Sequence, residues 1–474
     1  MKSKKGTMIL VIAVGAVVLV TFGIIIAFFA NTPEYKEIET ITPEAVVVSE
    51  PYVEHIVNPD RELFEGETLT VAVPHEVMLA PIAGQYMRAN PGVTIEIIAF
   101  DEELERDGGY ERVREEIGTQ LMAGGGPTLM LGMLLDFLDP RSSHFFADWL
   151  PVMWADPNFN EDDWFMNVFQ AAAMDGKLKA FPMDFIYFMA TANSTIPGLP
   201  NALAEKESIT IEELIELHKA APTSDRQYYF NSGRNIEGMM LWFLLGDFVD
   251  METGRVDFDN ERFIGYLNYL RDNLNPDDSE HTGGFVMPSQ EAAMAERDYF
   301  HFTNNMQEQY FLDFDEALFT EQTPIVNERG ELIIYPTLSY TLNRNATPTQ
   351  QAVAWDFIQF MLLPENDSGP NMGLQTTNRN LHRLRNERHL QFEWFVRQSK
   401  WQLNGSIEES AELIITKQSA YGDMPMFRSF GYPESILKII RETLQEFEDG
   451  LISAEQAAAN LQNKVELVMM EMGI

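Results

Sequence analysis

Seventy-three carboxylates and eight histidines are the main groups with which this 474-residue chain could do chemistry. Their spacing argues against most of the options. The histidines form no His-Glu-x-x-His run and no pair at i, i+4, which argues against a helix-borne zinc hydrolase site. Asp250, Glu252 and Glu261 come close to calcium-loop spacing, but Arg255 stands where glycine is required. A β-turn followed by a helix capped by Asp259 accounts for the same residues. A glycosidase needs two carboxylates about 5–10 Å apart. Among so many acids some pair will always fit, so spacing alone leaves that reaction open. No nucleophile elbow is present. The glycine-rich run Gly124 to Leu131, GGGPTLML, lacks the Lys-Ser/Thr of a phosphate-binding loop and reads as a tight entry into a strand. With no cysteine in the chain, a thiolate nucleophile, a cysteine zinc site, disulfides and a lipid-modified cysteine are all excluded. No metal and no cofactor is expected.

The formal charge of -40 repels phosphate backbones, which argues against nucleic acid as a partner. It fits a solvated exterior. At the N-terminus Lys2, Lys4 and Lys5 precede an uncharged apolar run from Met8 to Ala30, long enough to span a bilayer as a helix. The lysines place that end in the cytoplasm and export the rest. Either an uncleaved anchor or a cleaved signal peptide accounts for the run. Phe28 sits where a cleavage site wants a small residue, which favours the anchor. Asn31 to Glu67 is polar, acidic and broken by Pro33, Pro43, Pro51 and Pro59, as a stalk would be.

The elements that must position any site follow from periodicity. Leu69, Val71 and Val73 alternate as a strand. A helix is predicted from Glu76 to Ala89, then a second β-rich run from Val93 to Ile98, which makes a β-α-β unit and a parallel sheet. A helix covers Tyr110 to Met122. Trp149, Trp154 and Trp164 read as core more readily than as a ligand platform. Thr210 to Glu213 is a capping box, Tyr228 to Asn231 is strand-like, and an apolar helix runs through Trp242 to Leu245. From Pro336 the chain alternates, with Leu338, Tyr340 and Leu342 on one face and Ser339 and Thr341 on the other. Thr347, Pro348 and Gln350 then start a helix that Pro364 stops. Phe392 to Trp401 and Ile407 to Ile415 are amphipathic, a helix begins at Pro433, and Ser453 to Gln456 caps the last helix, to Met472.

The run PTLSYTLNRNATPTQQAVAWDFIQFMLLP, Pro336 to Pro364, resembles the extracellular solute-binding proteins of ABC importers, in the sugar-type family 1 that includes maltose-binding protein. TLTVAVP…YMRANPGVTIEII, ADWLPVMWADPNFNEDDWFMNVFQAAAMDGKLKAFPMDF and the ending FEDGLISAEQAAANLQNKVELVM are similar to the same family in the same order. The resemblance covers Leu69 to the end. It implies an α/β, periplasmic-binding-protein-like (type II) fold: two lobes joined by a multi-crossing hinge, behind an N-terminal transmembrane helix. On that template residues 1–30 are anchor or signal and 31–66 an extracellular stalk. Residues 67–185 and 336–390 make lobe 1, and 186–335 with 391–474 make lobe 2.

The resemblance also implies the function: capture of a small solute, a mono- or oligosaccharide, in the interlobe cleft by hinge closure, and delivery to ABC permease subunits. The protein would act as a monomer on the extracellular face of the membrane, or secreted if the segment is cleaved, and would not be an enzyme. The candidate ligand residues are Asp184 and Tyr187 at the first crossing, with hinge packing as the alternative for either. Asn231, Glu237 and Trp242 lie where the family supplies polar and aromatic contacts, with core packing the strong alternative for Trp242, which sits inside an apolar helix. Tyr340 lies on the returning strand. Phe430 and Tyr432 lie before Pro433, where rings can stack on sugar C–H faces or pack in a core. Two differences from the family, Thr128 in place of its aspartate and no Gly-Lys-x-Ala-Met strand, carry the alternative of a sensor or scaffold of the same fold coupled to a membrane partner.

Overall fold

The computed structural model describes residues 64–106, 108–193, 196–221, 229–230, 236–274, 298–304, 323–363, 366, 375–385, 421–429 and 431–474. The apolar N-terminal run and the stalk, the helices expected at Phe392–Trp401 and Ile407–Ile415, and the candidates Asn231 and Phe430 lie outside them. Among the described residues no helix is long and apolar enough to cross a membrane.

The first lobe opens as the periodicity predicts. Strands β1 (Thr68–Val73), β2 (Thr94–Ala99) and β3 (Leu129–Leu131) are parallel, with β1 between the other two. The helix between β1 and β2 is shorter than expected. It runs Ala80–Ala89 after a single 3-10 turn at Glu76–Met78. Pro81 is the reason, because it lacks an N–H and fits only the first turn of a helix. Thr128 enters β3 buried: its N–H donates to Thr70 Oγ1 at 2.8 Å, and its hydroxyl lies 3.1 Å from the same oxygen.

Strand β4 (Ala180–Ala192) is buried along its whole length and passes from one lobe to the other. The second lobe adds β5 (Tyr229–Phe230), the hairpin of β6 (Val249–Asp250) and β7 (Arg255–Val256), β8 (Asp298–Asn304) and β9 (Thr323–Pro324). Strand β10 (Leu332–Leu342) then returns antiparallel to β4 and inserts beside β3. Two short strands, β11 (Gln375–Thr376) on β4 and β12 (Met426–Arg428) on β10, complete the crossing. The path β2-β1-β3-β10-β4-β8-β5 is therefore one sheet shared by both lobes.

The first core packs Tyr86, Trp149, Trp164, Phe181 and Trp355. Trp154, expected with them, is instead exposed. The second core packs β4 and β8 against the helices Ile211–Ala220, Glu261–Asn273, Glu434–Glu448 and Ala454–Met472. A small third cluster at the crossing holds Phe165, Phe185, Tyr187, Leu332, Ile334 and Met426.

All three capping boxes form. At the Pro348–Met361 helix Gln350 N donates to Thr347 Oγ1 at 3.1 Å, and Thr347 N donates to Gln350 Oε1 at 3.0 Å. The boxes at Thr210 and Ser453 are reciprocal in the same way. Elsewhere the local reading needs correction. Asn260, not Asp259, caps the Glu261–Asn273 helix, its Oδ1 accepting from Phe263 N at 2.8 Å. The apolar helix through Trp242 is π-helical at Met240–Leu244, between α turns at Ile236–Met239 and Leu245–Phe248. On β10, Thr341 is as buried as Leu342, because the strand is covered on both faces. Its hydroxyl is satisfied by Met130 O at 3.3 Å.

Candidate functional site

A cavity of about 450 Å³ lies between the lobes. The first lobe supplies Leu138 and the end of the Met166–Ala172 helix with Ala173 and Met174. The second supplies Gly246 to Glu252 in part, the Arg329–Glu331 turn, β12, Gly431 and Tyr432. A chamber of this size suits a small ligand.

Each wall has a local cause. A Cβ on Gly246 would strike the Phe427 ring, so glycine is what lets β12 lie against that helix turn. Asn327 shapes the turn before β10: its Oδ1 accepts from Arg329 N and Glu331 N, both at 3.0 Å. The Arg329 guanidinium donates from Nε and Nη2 to Glu331 Oε2 at 2.8 and 2.7 Å, and lies 5.4 Å from the Phe427 ring centroid. Asp250 accepts from Glu252 N at 2.9 Å and Thr253 N at 3.1 Å, which makes the turn that joins β6 to β7. Burial works against the Asp250 charge, but the turn's hydrogen bonds outweigh it and hold the carboxyl below its ordinary pKa. No group of three or more metal-ligating side chains gathers among the described residues.

Arg428 reaches across the gap. Its guanidinium carbon stands 5.1 Å from the Phe137 ring centroid, and Nη1 donates to Ala172 O at 3.4 Å, both in the first lobe. Nearby, Asp136 Oδ2 accepts from Glu434 N at 3.0 Å and so joins the first lobe to the N-terminus of the Glu434–Glu448 helix. Burial raises the Asp136 pKa. At the crossing, Asn167 Nδ2 donates to Gly422 O and Met424 O at 2.5 and 2.7 Å.

The sequence candidates are distributed around this site. Tyr432 lines the cavity, but its ring is in the second core and its hydroxyl donates to Val249 O at 2.9 Å. Asp184 is buried at the crossing and ion-paired with Arg385 at 2.8 Å. Tyr187 packs there edge-on to Tyr421, 5.7 Å between centroids. Tyr340 lies in the first core. Trp242 is half-buried between Phe188 and Tyr335, each 5.0 Å away centroid to centroid. Glu237 faces Arg441 at 3.4 Å. Of these only Tyr432 touches the cavity. Sequence reasoning missed Arg329, Glu331 and Arg428. An arginine among the aromatics of MFRSFGYP, in a loop expected at the cleft, was the available signal.

No protein-family model and no curated protein matches the sequence. Solved structures do match in fold. The sugar-binding protein MalE of Xanthomonas citri is 14% identical, with a TM-score of 0.57, over 85% of this chain and 98% of that one. A family 1 extracellular solute-binding protein of Bifidobacterium longum subsp. infantis is 14% identical at TM-score 0.53, over 84% and 98%. The cyclic alpha-maltosyl-1,6-maltose binding protein of Arthrobacter globiformis is 13% identical at TM-score 0.52, over 85% and 99%. The chain thus has the fold of the family 1 extracellular solute-binding proteins.

Proposed function

We propose that this chain is a non-enzymatic solute-binding protein that captures a carbohydrate between its lobes outside the cell and passes it to an ABC permease. The observation that carries the reading is the cavity between the lobes, beside the strands that cross between them. A ligand held there touches both lobes at once, so its binding energy favours the closed arrangement over the open one. The lining suits a polyol: Arg329, Glu331 and Arg428 offer directed hydrogen bonds, and Phe427 offers a ring. Trp242 is a further candidate contact if the site extends toward Tyr335. The N-terminal apolar run supplies the attachment to the membrane, with the chain working as a monomer.

Thermal unfolding of the full chain against mono- and oligosaccharides, with amino acids and peptides as controls, tests this. A ligand that binds the native state alone raises Tm by mass action. A saturable rise with saccharides only is the expected result. No rise across the panel would end the sugar reading and leave the sensor or scaffold of the same fold.

A further inference from the structure

Among the described residues of the cavity wall, Arg428 is the one cation with no carboxylate partner. Glu331 is held by Arg329 and by Asn327 Nδ2 at 2.7 Å. Asp250 is held by its own turn, and Glu252 is exposed. The Arg428 side chain is partly covered overall, yet its Nε is closed off from solvent and has no partner among the described residues. No described carboxylate lies within ion-pairing distance of it; it meets the Phe137 ring, donates one 3.4 Å bond to Ala172 O, and has the Tyr335 phenol near enough to favour its charge. Burial pushes its pKa down from 12.5 to about 10, so it stays charged near neutrality.

A guanidinium with five donors and so few acceptors is costly to bury unless something anionic completes it. Arginine's planar fork matches the two oxygens of a carboxylate or phosphate. Arg428 is also well placed, on a strand of the crossing sheet and braced on the opposite lobe.

We infer that the cavity is built for a saccharide carrying an oxyanion, a uronate carboxylate or a phosphate ester, with the Arg428 guanidinium as its counter-ion. This inference rests on the sugar-binding reading above. The overall charge of -40 repels such a ligand at long range, so association should speed up as salt screens that field.

The test is calorimetric titration of the full chain with three matched sets: neutral oligosaccharides, the corresponding oligouronates, and sugar phosphates. One anionic set should bind at least about tenfold tighter than the neutral set, and which of the two does so identifies the anion. Arg428→Gln should reduce that set to the neutral level, while Arg428→Lys keeps part of the preference. Circular dichroism checks that each variant is folded, and if Arg428→Gln is not, the lysine variant and the wild-type preference decide. Neutral sugars binding as well as or better than both anionic sets would overturn the inference and leave the sugar reading standing. No binding by any set would overturn both.

Discussion

The carboxylate of Asp136, in the first lobe, accepts a 3.0 Å hydrogen bond from the backbone N–H of Glu434 in the second. The helix that begins there has Pro433 at its N-cap, with no side-chain cap of its own, so a residue of the other lobe does the capping. A negative group at a helix N-terminus is favourable in any case. Here it also ties the lobes together.

Asp136→Ala should therefore loosen closure without unfolding either core. We expect a loss of about 1 kcal/mol, read as a weaker ligand affinity and a larger radius of gyration by small-angle scattering. Asp136→Asn keeps an acceptor and should lose less. An unchanged radius and affinity for the alanine variant would mean that the contact does not hold the lobes.

His382 is buried against the edge of Phe165, 5.3 Å between ring centroids. Burial, then the charges of Arg385 and Arg379, lower its pKa from 6.5 to about 3. The unfolded chain takes up this proton first as pH falls, so native stability is full above pH 6.5 and is lost between there and about pH 3. The slope is at most about 1.4 kcal/mol per pH unit. Asp247 acts with the opposite sign: burial, then Glu328, raises its carboxyl to about 6, so its contribution falls as pH rises from 3.8 to about 6. Urea unfolding of wild type and His382→Phe across pH 4 to 7 isolates the histidine. The variant should be flatter in acid, and parallel curves would refute the assignment.

Gly246→Ala should destabilise by about 1–3 kcal/mol, since the new methyl meets the Phe427 ring. It should also weaken ligand binding, because Phe427 lines the cavity. Gly265→Ala, inside the Glu261–Asn273 helix with nothing within 4 Å of its Cβ, should stabilise by roughly 0.5–1 kcal/mol. Chemical denaturation of the pair compares the two directly.

Asp184 and Arg385 form a buried ion pair at the hinge, 2.8 Å apart. Removing either partner alone, as in Asp184→Leu or Arg385→Met, should cost about 3–5 kcal/mol, because it leaves the other charge buried. The double variant should recover much of that loss. A double-mutant cycle with additive losses would show that the two do not depend on each other.

Much of the local structure could be read from the chain because its signals are short-range. The three capping boxes, the break at Gly124 to Pro127 and the return strand each depend on a few adjacent residues. Long-range effects were harder to see. The alternation set Thr341 on the face opposite Tyr340, but Thr341 is as fully buried as Leu342, on a strand flanked by β3 and β4 in a sheet the local sequence cannot announce. For the same reason Tyr340 and Tyr187, good ring platforms by type, are core residues by position. Arg428 stood in the right loop, yet its contacts with the Phe137 ring and Ala172 O come from the other lobe, and that is a property of the assembled lobes.

The place of β10 between β3 and β4 also sets a schedule for biosynthesis. Strands β1 to β4 leave the ribosome with a gap in their sheet that only residues Leu332 to Leu342 can fill. At roughly 5–20 residues per second the nascent chain waits on the order of ten seconds or more with that seam open. During the wait the edges of β3 and β4 are unpaired and apolar, which invites association with other chains. A holdase, or a translocation channel that keeps the segment extended, would protect it. A fragment ending before Leu332 should accordingly be recovered as aggregate rather than as a folded half.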